Sequence, residues 1–461
     1  MALYHYILCN SLNVVRMFSD LMFISLLSLT TLSPFFSYSQ LITTIAGGGT
    51  GGDGGPATNA SLINPGYIAI DNKGCIYISE NSAHRVRKID NNGIISTIAG
   101  TGTIGFAGDG GLANASKLNQ PAGIAVDSVG NVFISDAVNN RIRKIDYATG
   151  VINTVVGNSF GGYNGDNIDA NLASLKLPDG IWFDKKGRLF ICDAGNLRLR
   201  MIDNNGVIHT VAGTGMSGWG GNGELAILTK CYPYSGVCID SKGNTFFTEW
   251  TWGVVRKIDT NGLISTVAGD TSSHLYNGDG IESSKSKLDP FSIVIDSEDN
   301  LYISDAYNNR IRKIRNDGVI QTIAGIGVYG NTGDNGLATL AKIHSPSGLV
   351  FDSCGNLYFC QTNTPRIRKI EFNPYCWPTN VKNVENRDDF DFSLYPNPVT
   401  EEMIVRGNKL KSIVIYNAVG QMVYEQEFNK AEMAAVNVSK LPLGVYVVHV
   451  NGVWVGKVVK E

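Results

Sequence analysis

Carboxylates recur at a fixed interval in this chain, each flanked by glycine, and that is where a search for chemistry starts. Asp53, Asp109, Asp166, Asp279 and Asp334 occupy G-D-G or related triplets, with Asn222 in the corresponding place of a fourth copy. Glycine lets backbone groups approach a ligand, and carboxylates suit a hard cation such as calcium. Each triplet supplies one dependable carboxylate, however, whereas calcium takes about six to eight oxygens. The same side chains equally suit the capping of local turns. Aromatic residues stand in the same loops: Phe106, Tyr163, Trp219, Tyr276 and Tyr329. Such rings stack on sugars, anchor a peptide, or cover the loop's own small core.

A second constellation pairs an acid with two arginines: Glu80/Arg85/Arg87, Asp136/Arg141/Arg143, Asp193/Arg198/Arg200 and Asp305/Arg310/Arg312. A guanidinium fork holds a carboxylate in bidentate fashion, so an acid or a sugar is a conceivable ligand. A catalytic site is normally built once. Recurrence in nearly every copy therefore points to a structural part that fixes a corner and bridges neighbouring units, each pair worth about 0–1 kcal/mol if exposed. His84, His209, His274 and His344 fall at different positions of different copies, and register assembles neither a Ser/His/Asp nor a Cys/His arrangement. The reading is of a non-enzyme, with a lyase or glycan-processing enzyme carrying a metal at a channel mouth as the alternative, and a structural surface module as a third.

The eight cysteines show no metal spacing. Cys75 and Cys354 sit near the same turn of the first and last copies, where an oxidising compartment permits a disulfide. Buried thiols are the competing reading.

What must position these residues is a repeat. The Ile that closes each RIRKI-like segment recurs at 89, 145, 202, 258, 314 and 370, at intervals of 56, 57, 56, 56 and 56 residues. Such regularity marks units that bury their apolar faces against neighbours. In the second copy the apolar stretches are Gly123–Asp127, Asn131–Asp136, Arg141–Asp146 and Val151–Val156, which suits a four-stranded antiparallel meander. Asn92-Gly93, Asn205-Gly206, Asn261-Gly262 and Asp317-Gly318 favour a type I′ hairpin between the third and fourth strands. The first strand ends each time in an acid: Asp71, Asp127, Asp184, Asp240, Asp296 and Asp352. The third carries Arg87, Arg143, Arg200, Arg256, Arg312 and Arg368.

Four-stranded units of this length arranged radially are propeller blades. The chain enters the repeat at a fourth-type strand, Ile42–Gly47, and leaves it at a third-type strand, Arg366–Glu371. Pairing these two closes six blades and covers a sheet edge. The glycine-rich loops and the corners between second and third strands are then expected to share one face, around one mouth of the channel.

The repeat resembles the NHL propeller family in its bacterial, long-loop form. The matching residues are Pro121–Asp127, Ser135–Ile145, Ser304–Ile314 and the TIAGTG…GDGG stretch Thr97–Gly111. The resemblance spans about residues 41–373 and implies an all-β, six-bladed β-propeller. The fourth copy departs most, with Thr248-Glu249-Trp250-Thr251-Trp252 in place of SDAxN and Val254 in place of the first arginine.

The rest of the chain bounds its location. Leu21–Phe36 is an apolar run followed by small residues, which reads as a secretory leader over 1–39 cut near Ser39/Gln40, starting at Met1 or Met17. A membrane anchor is the competing reading, but the run is shorter than about 20 residues. Net charge is −3, so no basic footprint argues for nucleic acid. The propeller spans 40–373 and a linker 374–391. A small Ig-like β-sandwich then occupies 392–461, with alternating apolar positions and Gly/Pro turns. Its SLYPNP opening (Ser393–Pro398), IVIYNAVGQ turn, LPLGVYVV strand and basic tail resemble the type A C-terminal sorting domain of the type IX secretion system. That resemblance implies engagement of this machinery and a secreted or outer-membrane surface product, with no transmembrane span in the mature chain. The expected partner is an extracellular protein or glycan, held at the glycine-rich-loop face. No cofactor is expected beyond calcium at the loop acids.

Overall fold

A computed structural model describes residues 40–372, 393–395, 398–417, 422–451 and 453–460. The expected leader (1–39) and linker (374–391) lie outside the described residues. The chain divides after residue 373 into two compact units, taken separately below.

Six antiparallel sheets form the first unit, which is a β-propeller. The second blade is built of Pro121–Val126, Val132–Asp136, Arg141–Ile145 and Ile152–Val156, innermost to outermost. Leu41–Gly47 pairs with Arg366–Glu371, Leu41 opposite Glu371 and Thr44 opposite Arg368, and supplies the fourth strand of the sixth blade. Ile42 and Ala46 are fully buried there. Alternation puts Ile78, Ile134, Ile191, Phe247, Ile303 and Phe359 on the buried faces of the second strands. These residues pack between adjacent blades, so each blade completes its neighbour's core.

The recurrent acid that ends the first strand organises the next turn. Asp127 accepts hydrogen bonds from the backbone N–H groups of Val129, Gly130 and Asn131 at 2.9–3.0 Å. Asp71 and Asp352 do the same in the first and sixth blades, and each also accepts a bond from a tyrosine hydroxyl on the second strand.

The outer hairpins differ from expectation. Gly93, Gly206, Gly262 and Gly318 have φ of +75° to +81°, but the residue before each does not have positive φ, so these are not type I′ turns. A side-chain cap selects the geometry. Asp90 Oδ1 accepts from the N–H groups of Asn92 and Ile94, and Gly93 N–H donates to Asp90 O. That holds a type I turn with glycine in the left-handed position after it.

The long loops meet the corners between second and third strands, as Asn139, Asn196 and Asn308 each donate to a loop carbonyl. Each loop also passes along the outer strand of the following blade, which sequence did not reveal. Gly110 N–H donates to Ile152 O, Ile152 N–H to Gly111 O, and Ala113 N–H to Gly150 O. The pattern recurs in all six blades, as in Gly54–Ile95, Gly223–Ile264, Gly280–Ile320 and Asn335–Ile42. In three blades it amounts to a short fifth strand, such as Ile168–Asp169 against Val207–Ala212. An outermost strand presents a row of unpaired backbone groups, and the loop satisfies them.

Cys75 is a free, buried thiol, so no Cys75–Cys354 bridge forms. Cys354 is disulfide-bonded. Among the described residues no helix is long and apolar enough to cross a membrane.

The second unit is a small β domain. Glu402–Asn417 pairs along its length with Met422–Asn437, at its start with Ser393–Tyr395, and at its end with Gly444–Val450. Met403, Val405, Ile413, Val436 and Val448 form its buried core.

Candidate functional site

The residues singled out by recurrence meet in one repeated assembly. Arg143 has no exposed surface. One of its nitrogens lies 3.3 Å from Asp136 and the other 2.5 Å from Asp109 of the glycine-rich loop. Phe106 lies over Arg141 and Arg143, with centroid distances of 3.9 and 4.8 Å. The other blades repeat this. Arg87 joins Glu80 and Asp53, Arg200 joins Asp193 and Asp166, and Arg312 joins Asp305 and Asp279. Tyr163 and Tyr276 cover the arginines of the third and fifth blades, and Trp219 covers Arg256. Tyr329 instead lies beside His344, at 5.4 Å between ring centroids.

The inner pairs are fully buried. Burial pushes Asp193 and Asp305 up to about 6, and raises Asp136 and Glu249 as well. The loop acids are the solvent-side members, 27–47% exposed. Engaged by guanidinium groups, these carboxylates are arranged to bind cationic side chains of the protein itself. No cluster of three or more His, Cys, Asp or Glu side chains that could hold a metal occurs among the described residues.

Two blades vary the device. The fourth keeps Glu249 at 3.2 Å from Arg256 but has Asn222 in the loop. The sixth keeps Asp334 at 2.5 Å from Arg368 but has Gln361 at the corner. Each buried arginine therefore retains at least one carboxylate.

The histidines are separately engaged. His209 bonds Asn167 and Asp203 on the outer edge of the third blade, and His274 Nδ1 lies 3.0 Å from Asp289. His84 Nδ1 accepts from Gln120 N–H.

A different set of residues meets where the inner strands begin, and each breaks the repeat. Asp179 occupies the position held by Gly66, Ala122, Ser235, Phe291 and Ser347 in the other copies. The Tyr67 hydroxyl donates to its carboxylate, and Tyr67 lies 5.6 Å from Phe291, centroid to centroid. Tyr232, Tyr234, Trp250 and Tyr307 continue as a run of rings at 5.9, 6.1 and 6.3 Å. Trp250 replaces the alanine of the SDA corners, and Tyr307 is 71% exposed.

The inner strands approach here too closely for side chains. A Cβ on Gly180 would stand 1.9 Å from Ser235 O, and one on Gly123 2.3 Å from Asp179 O. Desolvation in this constriction pushes the Asp179 carboxyl up to about 8.

Between the fourth, fifth and sixth blades a cavity of about 280 Å³ is lined by Tyr234, Trp250, Phe291, Tyr307, Ser347 and Thr362. A second, of about 220 Å³, lies on the axis and is walled by all six inner strands. Trp182 of the third blade packs against the cores of the fourth, fifth and sixth blades, so its indole crosses the axis. The arrangement is a cup with an aromatic lip and, in the axial wall, Tyr67, through whose hydroxyl the neighbouring Asp179 carboxyl is reached.

Recurrence could not reveal Asp179, Tyr67, Phe291, Tyr234 or Tyr307. The available signal was departure from the repeat: Tyr67 stands where Gly123, Gly180, Gly236 and Gly348 stand, Tyr234 where the other copies have proline, and Trp250 where three have alanine.

Comparison with known proteins agrees with this architecture. The teneurin NHL domain family matches residues 47–106, 103–164 and 161–219, and the secretion system C-terminal sorting domain matches residues 393–460. The chain thus carries NHL repeats followed by a sorting domain that marks it for secretion or the cell surface.

Similar proteins include chicken (Gallus gallus) teneurin-1, 26% identical over 292 residues, or 54% of this chain and 10% of the teneurin. Bovine (Bos taurus) NHL repeat-containing protein 2 is 24% identical over 354 residues, or 67% of this chain and 47% of that protein. The chain thus spans a tenth of the teneurin and about half of the second relative. Among solved structures, an auxiliary nutrient binding protein from Bacteroides thetaiotaomicron shares the fold. Its TM-score is 0.53 at 18% identity, covering 72% of this chain and 76% of that one.

Proposed function

We propose that this is an exported, non-enzymatic propeller that holds an extracellular partner at the lip of its axial cup. The single observation that carries the reading is the run of rings from Tyr232 to Tyr307. Four aromatic side chains from two adjacent blades line up at one opening, at positions where the other copies carry no Tyr, Trp or Phe. Solvated aromatic faces have no role in closing a propeller, whereas they are effective contacts for a partner.

The glycine-rich loops support this face indirectly. Asn308 Nδ2 donates to His274 O of the loop and to Asp305, which fixes the corner that carries Tyr307. In this reading the C-terminal domain engages the type IX secretion machinery and is removed or attached at the outer-membrane surface.

The test is retention of the purified full chain on a panel of immobilised extracellular proteins and glycans. Wild type is expected to be retained by at least one class, and Trp250→Ala with Tyr307→Ala to lose that retention. Retention unaffected by the double substitution, or none at all, overturns the assignment.

A further inference from the structure

We propose that the cup is a saccharide site, in which sugar rings lie on Tyr234, Trp250 and Tyr307 while hydroxyl groups reach the Asp179–Tyr67 pair. The inference rests on the preceding reading and names the ligand class for the same opening.

Three observations favour a polyhydroxylated, uncharged ligand. The first is the geometry of the rings. Tyr234 and Trp250 are inclined by 32° at 6.1 Å, and Trp250 and Tyr307 by 36° at 6.3 Å, so they form an extended run of rings longer than one ring and not a cage about a point. Rings that enclosed a point would suit a compact cation; a run longer than one ring suits a chain of flat, C–H-faced sugar units.

The second is the polar content of the wall. Ser235 is 4% exposed, its hydroxyl has no hydrogen-bond partner, and it lines the axial cavity at the repeat position of Asp179 in the next blade. A buried hydroxyl without a partner costs free energy until a ligand or water supplies one. Ser347 and Thr362 add two more hydroxyls at the lip, 2.9 Å apart.

The third is charge. With its carboxyl displaced to about 8 by burial, Asp179 is largely protonated at neutrality. It then both donates and accepts hydrogen bonds, as a sugar hydroxyl requires. The groups facing it are Tyr67, Tyr234 and the Cys192 thiol. None is a cation, and Tyr234 and Cys192 are shifted further from neutrality.

The experiment is isothermal titration of the full chain with soluble hexasaccharides of the cello-, laminari-, xylo-, manno- and chito- series. At least one is expected to bind. Trp250→Ala and Tyr307→Ala should each weaken it about tenfold or more, and Asp179→Ala about tenfold, the worth of one hydrogen bond, whereas Asp179→Asn, which also donates and accepts, should largely keep it. Leu228→Ser, on the outer rim, should leave affinity unchanged. Tyr307 is exposed, so its variant keeps the test valid if Trp250→Ala fails to fold. Binding undiminished in both aromatic variants overturns the proposal. So does retention of protein alone on the panel above with no hexasaccharide bound, and in that case the lip remains a binding site. Silence in both assays overturns both.

Discussion

Each buried arginine keeps at least one carboxylate, and this makes the fourth and sixth blades, with one each, the sensitive ones; in the sixth that acid is the loop residue. In the second blade Arg143 has Asp136 at 3.3 Å and Asp109 at 2.5 Å. Asp109→Asn removes one and leaves a fully buried acid in place. In the sixth, Arg368 is fully buried and its carboxylate partner is Asp334, since Gln361 replaces the corner acid. Burial already lowers the Arg368 pKa, opposed by Asp334. Asp334→Asn therefore strands a charge.

Leaving one member of a buried pair uncompensated costs about 3–5 kcal/mol. Asp334 is 37% exposed, which points to the lower end, about 3 kcal/mol. Asp109→Asn should cost about 1 kcal/mol. The unfolding entropy of a propeller of about 330 residues makes 1 kcal/mol worth about 1.5 °C. Calorimetric melting of the full chain at pH 7 should therefore show losses of about 4 °C and about 1–2 °C, respectively. Asp109→Asn combined with Asp136→Asn should bring the second blade to the deficit of the sixth. Equal losses for Asp334→Asn and Asp109→Asn would refute the argument that one carboxylate per arginine is the requirement.

Ile42→Ala, in the strand that completes the sixth blade, should cost about 2–4 kcal/mol in urea unfolding; a change below about 0.5 kcal/mol contradicts the closure. For Asp179 the folded pKa lies above the unfolded one, so the folded state binds more protons between about pH 4 and 8. Stability is lost as pH rises through that window and levels off above it. Asp179→Asn should melt progressively higher than wild type from pH 5 to 8, and a pH-independent difference excludes the linkage. Deleting Ser393–Glu461 should leave the propeller's β signature in circular dichroism unchanged and retain the protein in the periplasm, whereas unaltered surface display or release in cell fractionation contradicts the sorting role.

The architecture was legible because it is written six times. A strand-ending aspartate, a buried arginine and a glycine-led hairpin recur at a constant interval, and averaging over copies strengthens all three. The outer turn was misread because Asn-Gly was weighed alone, without Asp90 two residues earlier, whose side chain captures the N–H groups that decide the turn. The pairing of each loop with an outer strand was not legible because its glycines look like ligand contacts, when they also let backbone pair with that strand. The cup was hidden for the opposite reason. Tyr67, Asp179, Tyr234 and Phe291 lie in four different copies, each a single departure from the repeat, and become neighbours only once the ring is shut. In a repeat of this kind, what recurs holds the molecule together, and what deviates is free to do something else.

Pairing Leu41 with Glu371 joins points about 330 residues apart in the chain. Five blades can assemble from neighbours as they emerge, but the last seam waits for both ends, and such distant contacts form late. A polypeptide interrupted before residue 371 is left as an open crescent with an unsealed flank. Quality control of this protein accordingly reduces to whether one seam has zipped.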